Sequence, residues 1–325
     1  MNTKFQQSGE QPIVVGVNGS SGSEAAVLYA VDEARRIGCD LRLVHVAPRY
    51  LPAGGLVPPA GGPSFKEFEA IGHSILKTSA KPAYEALSRN RVSTVLEFGS
   101  RSLGVLRATD GARLLVVGDD RTPLLERLAV GSFIAALAAK AMVPLVSVPS
   151  DWTRGSRPDE DARVVLGIKD PQRVPVELLR AGFQAAADRN AVLEVAHVWE
   201  MPPGYAALMT SLEDGRTWQT SIERSVRALV DPLRQEFPDV SYTTESRYGQ
   251  PAQILRERAQ GAVLLMLARR PHGFPFGYFG STGRALLREA PCPVEVVPVA
   301  ERAADAAIRS RRPSTDRPAL AATNH

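Results

Sequence analysis

The amino-acid sequence predicts an α/β protein built from two doubly wound parallel sheets, and three observations carry that prediction. The chain repeats itself at a spacing of 149 to 152 residues. Within each copy, short continuous apolar runs rich in β-branched residues mark strands covered on both faces. Between those runs, apolar residues recur at three- and four-residue steps, the spacing of helices with one buried face. Strands and helices alternating in this way form parallel sheets with right-handed crossovers and helices on both sides.

The repeat decides the organisation of the chain. Val14-Val15-Gly16-Val17 returns as Val164-Val165-Leu166-Gly167-Ile168, and Leu43-Val44-His45-Val46 returns as Val195-Ala196-His197-Val198. Phe98-Gly99 matches Tyr248-Gly249, Leu114 to Val117 matches Val263 to Met266, and Gly131-Ser132 matches Gly280-Ser281. Each copy closes on a proline and a β-branched strand, Val143-Pro144-Leu145-Val146 and Cys292-Pro293-Val294-Glu295, and Pro82 recurs as Pro232. A length of 325 residues, more than one ordinary core supports, agrees with two domains. The repeat assigns residues 12–150 to the first domain and 162–299 to the second, with the charged segment 151–161, containing Gly155 and Pro158, as linker. Residues 1–11 and 300–325 lack apolar periodicity and are expected to be disordered tails.

In the first copy, strands are expected at Ile13 to Val17, Leu41 to Val46, Val92 to Phe98, Leu114 to Val117 and Leu145 to Val148. Ser23 is placed as the cap of a helix running through Ala25, Ala26, Ala30 and Ala34, with Gly38 just past its end. In the second copy, Ile222, Val226, Leu229 and Leu233 form one apolar helix stripe, read as a core-facing surface.

Composition excludes several function classes. The pI near 9.2 rests on a net charge of only +4, with 39 basic and 35 acidic residues spread along the chain. A nucleic-acid binder shows a concentrated basic stripe with interleaved aromatics, and aromatics are only 6% of this sequence. Cys39 and Cys292 have no paired spacing for metal or redox chemistry and read as reduced thiols. No leader-like apolar segment opens the chain and no apolar run approaches the length of a membrane span, so the protein is expected in the cytoplasm. No phosphate loop ending in Gly-Lys-Ser/Thr, no nucleophile elbow and no paired metal motif occurs, which argues against an enzyme.

Ligands of doubly wound sheets sit beyond the carboxyl ends of the strands, where strand order reverses. After the fourth strand comes Gly118-Asp119-Asp120-Arg121, then nine residues, then Gly131-Ser132 at the start of a helix. Backbone N–H groups at a helix start, a small residue and a hydroxyl together suit an anion, although Gly-Ser is equally a plain helix cap. This stretch resembles nucleotide-binding universal stress proteins, which carry Gly, two residues, Gly, nine residues, Gly and Ser or Thr around the phosphates and ribose of ATP. Gly118, Gly131 and Ser132 keep that spacing, whereas Arg121 stands where the second glycine belongs. Its guanidinium can pair with phosphate from the side, while Asp119 and Asp120 repel anions unless a cation such as Mg2+ intervenes.

The resemblance extends to Val17-Asn18-Gly19-Ser20, which stands where the family has a strand followed by Asp-Gly-Ser, and Asn18 keeps hydrogen bonding without the charge. It also implies that His45-Val46, at the end of the second strand, meets adenine through the backbone, with His45 itself equally readable as a plain strand residue. In the second copy the register puts Leu267 and Arg270 in the places of Gly118 and Arg121, keeps Gly280 and Ser281, and has Lys169-Asp170 after the first strand. That site is degenerate, although Arg269, Arg270 and His272 can attract some other anion. Pro/Gly-rich loops, Arg49 to Pro63 and Glu200 to Tyr205, flank the two sites as lids, partner surfaces or spacers.

What the resemblance implies is a tandem universal stress protein over about residues 12 to 299. Each half would have the adenine nucleotide alpha hydrolase-like fold, five parallel strands in the order 3-2-1-4-5. The halves would pack through their fifth strands as an internal pseudo-dimer. The implied role is a stress-response regulator that binds ATP or a related adenine nucleotide, mainly in the first half, without dedicated catalysis. A scaffold without nucleotide and a slow ATPase are the alternatives. The protein partner that receives the signal, and a homodimer of the whole chain, are left open.

Overall fold

The computed structural model describes residues 11–49, 64–119, 133–154, 162–200, 212–269 and 280–299, with only the backbone described over 212–219. The expected tails and most of the two Pro/Gly-rich loops lie outside these residues. In the first half the elements are β1 (Ile13–Gly16), α1 (Ser21–Ile37), β2 (Leu41–Ala47), α2 (Phe65–Ser79), α3 (Lys81–Ala86), β3 (Val92–Phe98), α4 (Arg101–Ala108) and β4 (Leu114–Asp119). Helical residues 133–140, here α5, and β5 (Leu145–Pro149) complete it. The second half has β6 (Arg163–Ile168), α6 (Val176–Ala187), β7 (Val192–Trp199), α7 (Leu212–Val230), β8 (Tyr242–Tyr248), α8 (Pro251–Ala259), β9 (Leu264–Arg269), α9 (Ser281–Glu289) and β10 (Val294–Pro298).

The strands form one ten-stranded sheet in the order β3-β2-β1-β4-β5-β10-β9-β6-β7-β8. Each half is parallel and doubly wound in the order the resemblance implies. The halves meet through their last strands, β5 and β10, which pair antiparallel with Val294 opposite Ser147, Glu295 opposite Val146 and Val296 opposite Leu145. A pseudo-twofold arrangement of two like units makes this contact antiparallel by symmetry.

The two faces of the seam differ. Beneath α4, α5, α8 and α9 one apolar cluster runs through both halves, joining Val105, Leu137 and Leu145 to Leu255, Leu265, Leu286 and Val296. On the opposite face each half keeps its own cluster, under α1 to α3 in the first and under α6 and α7 in the second. Burying one of the leucines or isoleucines in these clusters contributes about 1.5–3 kcal/mol.

Local chemistry shifted several boundaries. Helix α1 begins before Ser23, because the Ser20 hydroxyl accepts from the Ser23 N–H at 3.3 Å and is the cap; Gly38 ends the helix in the left-handed conformation, φ +77°. Pro82 and Pro232 each fall in the first turn of a helical segment. Each starts a new helical segment, α3 and the 3-10 turn Asp231–Gln235, since a proline lacks the N–H that would continue the preceding helix. On the α7 stripe, Val226, Val230 and Leu233 are buried, and Ile222 and Leu229 pack at its margin. The start of the expected linker is docked: Trp152 meets Tyr29 edge to face at 5.4 Å, and Arg154 pairs with Asp32 at 2.6 Å.

Backbone bonds also correct the register of the repeat at the fourth strand. The Leu115 N–H donates to Pro144 O and the Leu265 N–H to Pro293 O, each at 2.9 Å. Gly16 lies opposite Val117, and Gly167 opposite Leu267. Leu267 therefore matches Val117, not Gly118. Ala268 holds the place of Gly118, and Arg269 that of Asp119. Runs of Leu and Val look alike under a one-residue slip, so the strand sequence alone could not fix this register.

Candidate functional site

Strand order reverses between β1 and β4, and their carboxyl ends lie side by side with Gly16 opposite Val117. The next residues, Val17 and Gly118, thus open the crevice expected for a ligand. Gly118 packs against the first turn of α1 without room for a side chain. A Cβ there would stand 2.0 Å from the Gly22 carbonyl oxygen and 2.7 Å from the Ser23 nitrogen. Its small size serves backbone-on-backbone packing of β4 against α1, whereas the sequence suggested clearance for phosphate. Gly22, which makes the other half of that contact, escaped the sequence reading; a glycine in the first turn of a helix, where it costs helical stability, was the available signal.

The turn after β1 is held by its own polar groups. Asn18 Oδ1 accepts from the Ser20 N–H at 3.0 Å and from the Ser20 hydroxyl at 2.6 Å, and Gly19 takes φ +82°. Asn18 is exposed, and its carboxamide NH2 keeps the capacity to donate. The equivalent turn of the second half is built the same way, with Asp170 Oδ1 accepting from the Gln172 N–H at 3.0 Å.

Strand β2 outruns β1, and this exposes its backbone. The last β1–β2 bond is the Val17 N–H donating to Val44 O at 2.9 Å. Val46 points the same way as Val44, two residues further on, so its N–H and C=O project past the end of β1. Its side chain is buried and fits against Gly104 of α4, where a Cβ would come within 2.8 Å of Val46 Cγ2. His45 is turned to the other face, toward Gly72 of α2, and its Nδ1–H donates to Val17 O at 2.8 Å. His197 makes the same bond to Ile168 O at 3.2 Å. Burial holds the His197 ring below the ordinary histidine pKa. These rings tie the second strand of each half to the end of its first strand, so His45 is more than a strand residue.

Arg121, Gly131 and Ser132 lie outside the described residues, as do Arg270 and His272. In the second half Gly280 caps α9 with open space around its Cβ position, and Ser281 is exposed at the first turn. Arg269 is not available to an outside anion: it is buried and donates to the carbonyls of Ala139 and Ala141 in the first half. At the strand ends, Phe65 of α2 lies 4.8 Å from Phe98, while in the second half Trp199 itself lies 5.0 Å from Tyr248. Trp199 stands where the first half has Ala47, so the second half fills from its own strand a space the first fills from a helix.

A match to the family model described as the universal stress protein family covers residues 10–149 and again 162–298. The chain belongs to the universal stress protein family. Among its relatives, a universal stress protein of Mycolicibacterium smegmatis is 28% identical over 306 residues, which cover 90% of this chain and 98% of that one. One of Mycobacterium tuberculosis is 27% identical over 87% of this chain and 94% of its own length. A crystal structure of a universal stress protein from Archaeoglobus fulgidus aligns with 89% of this chain and 97% of its own at a TM-score of 0.62 and 13% identity, which shows the shared fold. Among the described residues of this universal stress protein, no helix is long and apolar enough to cross a membrane.

Proposed function

We propose that this universal stress protein is a cytoplasmic stress-response regulator that binds ATP or a related adenine nucleotide in its first half, without dedicated catalysis, and passes its state to a protein partner. The observation that carries the reading is the overrun of β2 past β1, which presents the Val46 N–H and C=O to the crevice beside Val17 and Asn18. That pair of backbone groups matches the donor and acceptor edge of adenine. Phosphates would then reach the segment from Gly118 through Arg121 to Gly131-Ser132, where helix-start N–H groups and the guanidinium carry the complementary charge. Asp119 is buried, and no group of three or more metal-ligating side chains occurs among the described residues. In this reading a Mg2+ ion arrives with the triphosphate. Gly280 and Ser281 form the degenerate counterpart.

Titration with labelled ATP, with and without Mg2+, tests this reading. Gly131→Val is expected to weaken binding by at least about tenfold through loss of close backbone approach. Gly280→Val, whose side chain enters open space, leaves binding within about twofold. Equal losses would put the site in the wrong half. Absence of saturable binding to the wild type would leave the scaffold reading. Single-turnover phosphate release above that of Gly131→Val would establish the slow ATPase.

A further inference from the structure

The second half's end of the sheet is β8, and a cleft of about 790 Å3 runs along it. On one side stand Arg227 of α7 and Asp231 and Arg234 of the 3-10 turn after it; on the other stand Tyr242, Thr243 and Thr244 of β8. Successive side chains of a strand alternate between its two faces. A cleft that touches three in a row therefore follows the strand's outer edge and not one face of the sheet.

Backbone direction shows what that edge offers. The Leu193 N–H donates to Ser241 O at 2.9 Å, and the Gly249 N–H donates to Trp199 O at 3.1 Å. With Leu193 opposite Tyr242, the groups of β8 that face β7 belong to the odd-numbered residues. The N–H and C=O of Tyr242 and Thr244 point away from the sheet, and no strand pairs with them among the described residues. An open edge of this kind is a template for one more strand.

The charge beside the edge is positive. Asp231 accepts from the Tyr242 hydroxyl at 2.5 Å, and Arg234 lies over the Tyr242 ring, 5.8 Å from its centre. Arg227 and Arg234 are exposed, and neither forms a salt bridge among the described residues. Two cations against one carboxylate, itself hydrogen-bonded, leave the cleft ready for acidic groups.

We propose that the outer edge of β8 is a docking surface for a protein partner, which adds an acidic, extended segment as a further strand and sets its carboxylates on Arg227 and Arg234. The two features together select the occupant. A small anion or a polyanion would meet the arginines and leave the backbone edge unused, and an uncharged strand would meet the edge and leave the arginines unused. This inference gives a chemical class to the partner in the reading above and rests on that reading for the partner alone, not for the nucleotide.

The test uses the full chain and a fluorescein-labelled peptide of about eight residues in which glutamate alternates with threonine, so that every carboxylate lies on one face. Saturable binding is expected, and it should weaken at least about tenfold in the double variant Arg227→Gln, Arg234→Gln, whose replaced side chains are exposed and leave the circular dichroism unchanged. The same peptide N-methylated at alternate residues keeps its charge but cannot pair along a strand, and it too should bind at least about tenfold more weakly. A methylated peptide that binds as well as the parent would reveal a polyanion site and overturn strand addition. Equal binding by the double variant, or by a peptide with lysine in place of glutamate, would overturn the role of the arginines and the inference with it. A wild type that binds ATP but not the peptide defeats this inference alone, and one that binds the peptide but not ATP defeats the nucleotide reading alone.

Discussion

Glu295 sits in β10 between Val146 of β5 and Met266 of β9, on the sheet face where the two separate apolar clusters meet. Across that seam, Arg189 donates to the Tyr29 hydroxyl at 3.2 Å and pairs with Glu33, which Arg36 also engages at 2.6 Å. Burial chiefly, and the Glu33 charge with it, outweigh the pull of Arg189 and push the Glu295 carboxyl from 4.5 up to about 7. Between those values the folded protein keeps a proton that the unfolded chain releases. The stabilisation from this group is full below the lower value and is lost as pH rises through about 7. His197, whose pKa burial lowers, works in the opposite sense and loses stability as pH falls. Glu295→Gln isolates the carboxyl: its stability gain over wild type in urea should grow from near zero at about pH 5 to about 1–3 kcal/mol at about pH 8. A gain that is the same at both pH values would show that Glu295 does not titrate in this range. None of this was legible in the sequence, since Glu33 and Arg189 lie 156 residues apart and each reads as an ordinary charge on a helix.

Helices and strands are set by how closely their backbones approach, and glycine decides that at β4. Gly118 against Gly22 leaves no space for one methyl group, because the obstacle is main chain and cannot rotate away. Gly118→Ala should lower stability by about 3 kcal/mol or more, the upper range for overpacking, while Gly280→Ala, facing open space, should stay within about 1 kcal/mol. Urea midpoints of the two variants that coincide would refute the packing account of Gly118. Most element positions were legible: the five first-half strands fall within two residues of their expected ends, because both-face burial demands continuous apolar runs. The register of β9 was not, since its identity comes from which residue opposes Gly167, a contact across the sheet. The residues that the sequence singled out, Val17, Asn18, Val46 and Gly118, do lie at the carboxyl ends of β1, β2 and β4. The sequence did not disclose that His45 and His197 bind the two strand ends together, nor that Gly104 admits Val46.

At the scale of the molecule, the duplication is legible in the sequence and the depth of the union is not. The antiparallel β5–β10 pair makes one sheet of ten strands, and the apolar cluster beneath it takes side chains from both halves. On the other face the Tyr29–Arg189 and Glu33–Arg189 contacts join them again, while Arg269 ties β9 to the end of α5 on the side of the shared cluster. β5 is buried along all five residues, so unfolding one half alone would strip cover from the other. Opening either half first must then expose shared apolar area, at about 25 cal/mol per Å2, without releasing the rest of the chain's entropy. The halves are therefore expected to unfold as one cooperative unit. The three tryptophans allow the measurement. With Trp218 replaced by Phe, Trp152 against Tyr29 reports on the first half and Trp199 against Tyr248 on the second. Two variants, each keeping one of these reporters, should each show the same urea midpoint by fluorescence as by far-ultraviolet circular dichroism. A fluorescence midpoint for either reporter displaced from that variant's own circular-dichroism midpoint by more than about 0.5 M, on the usual denaturant slopes, would mean that the halves fold separately and that the seam only docks finished domains.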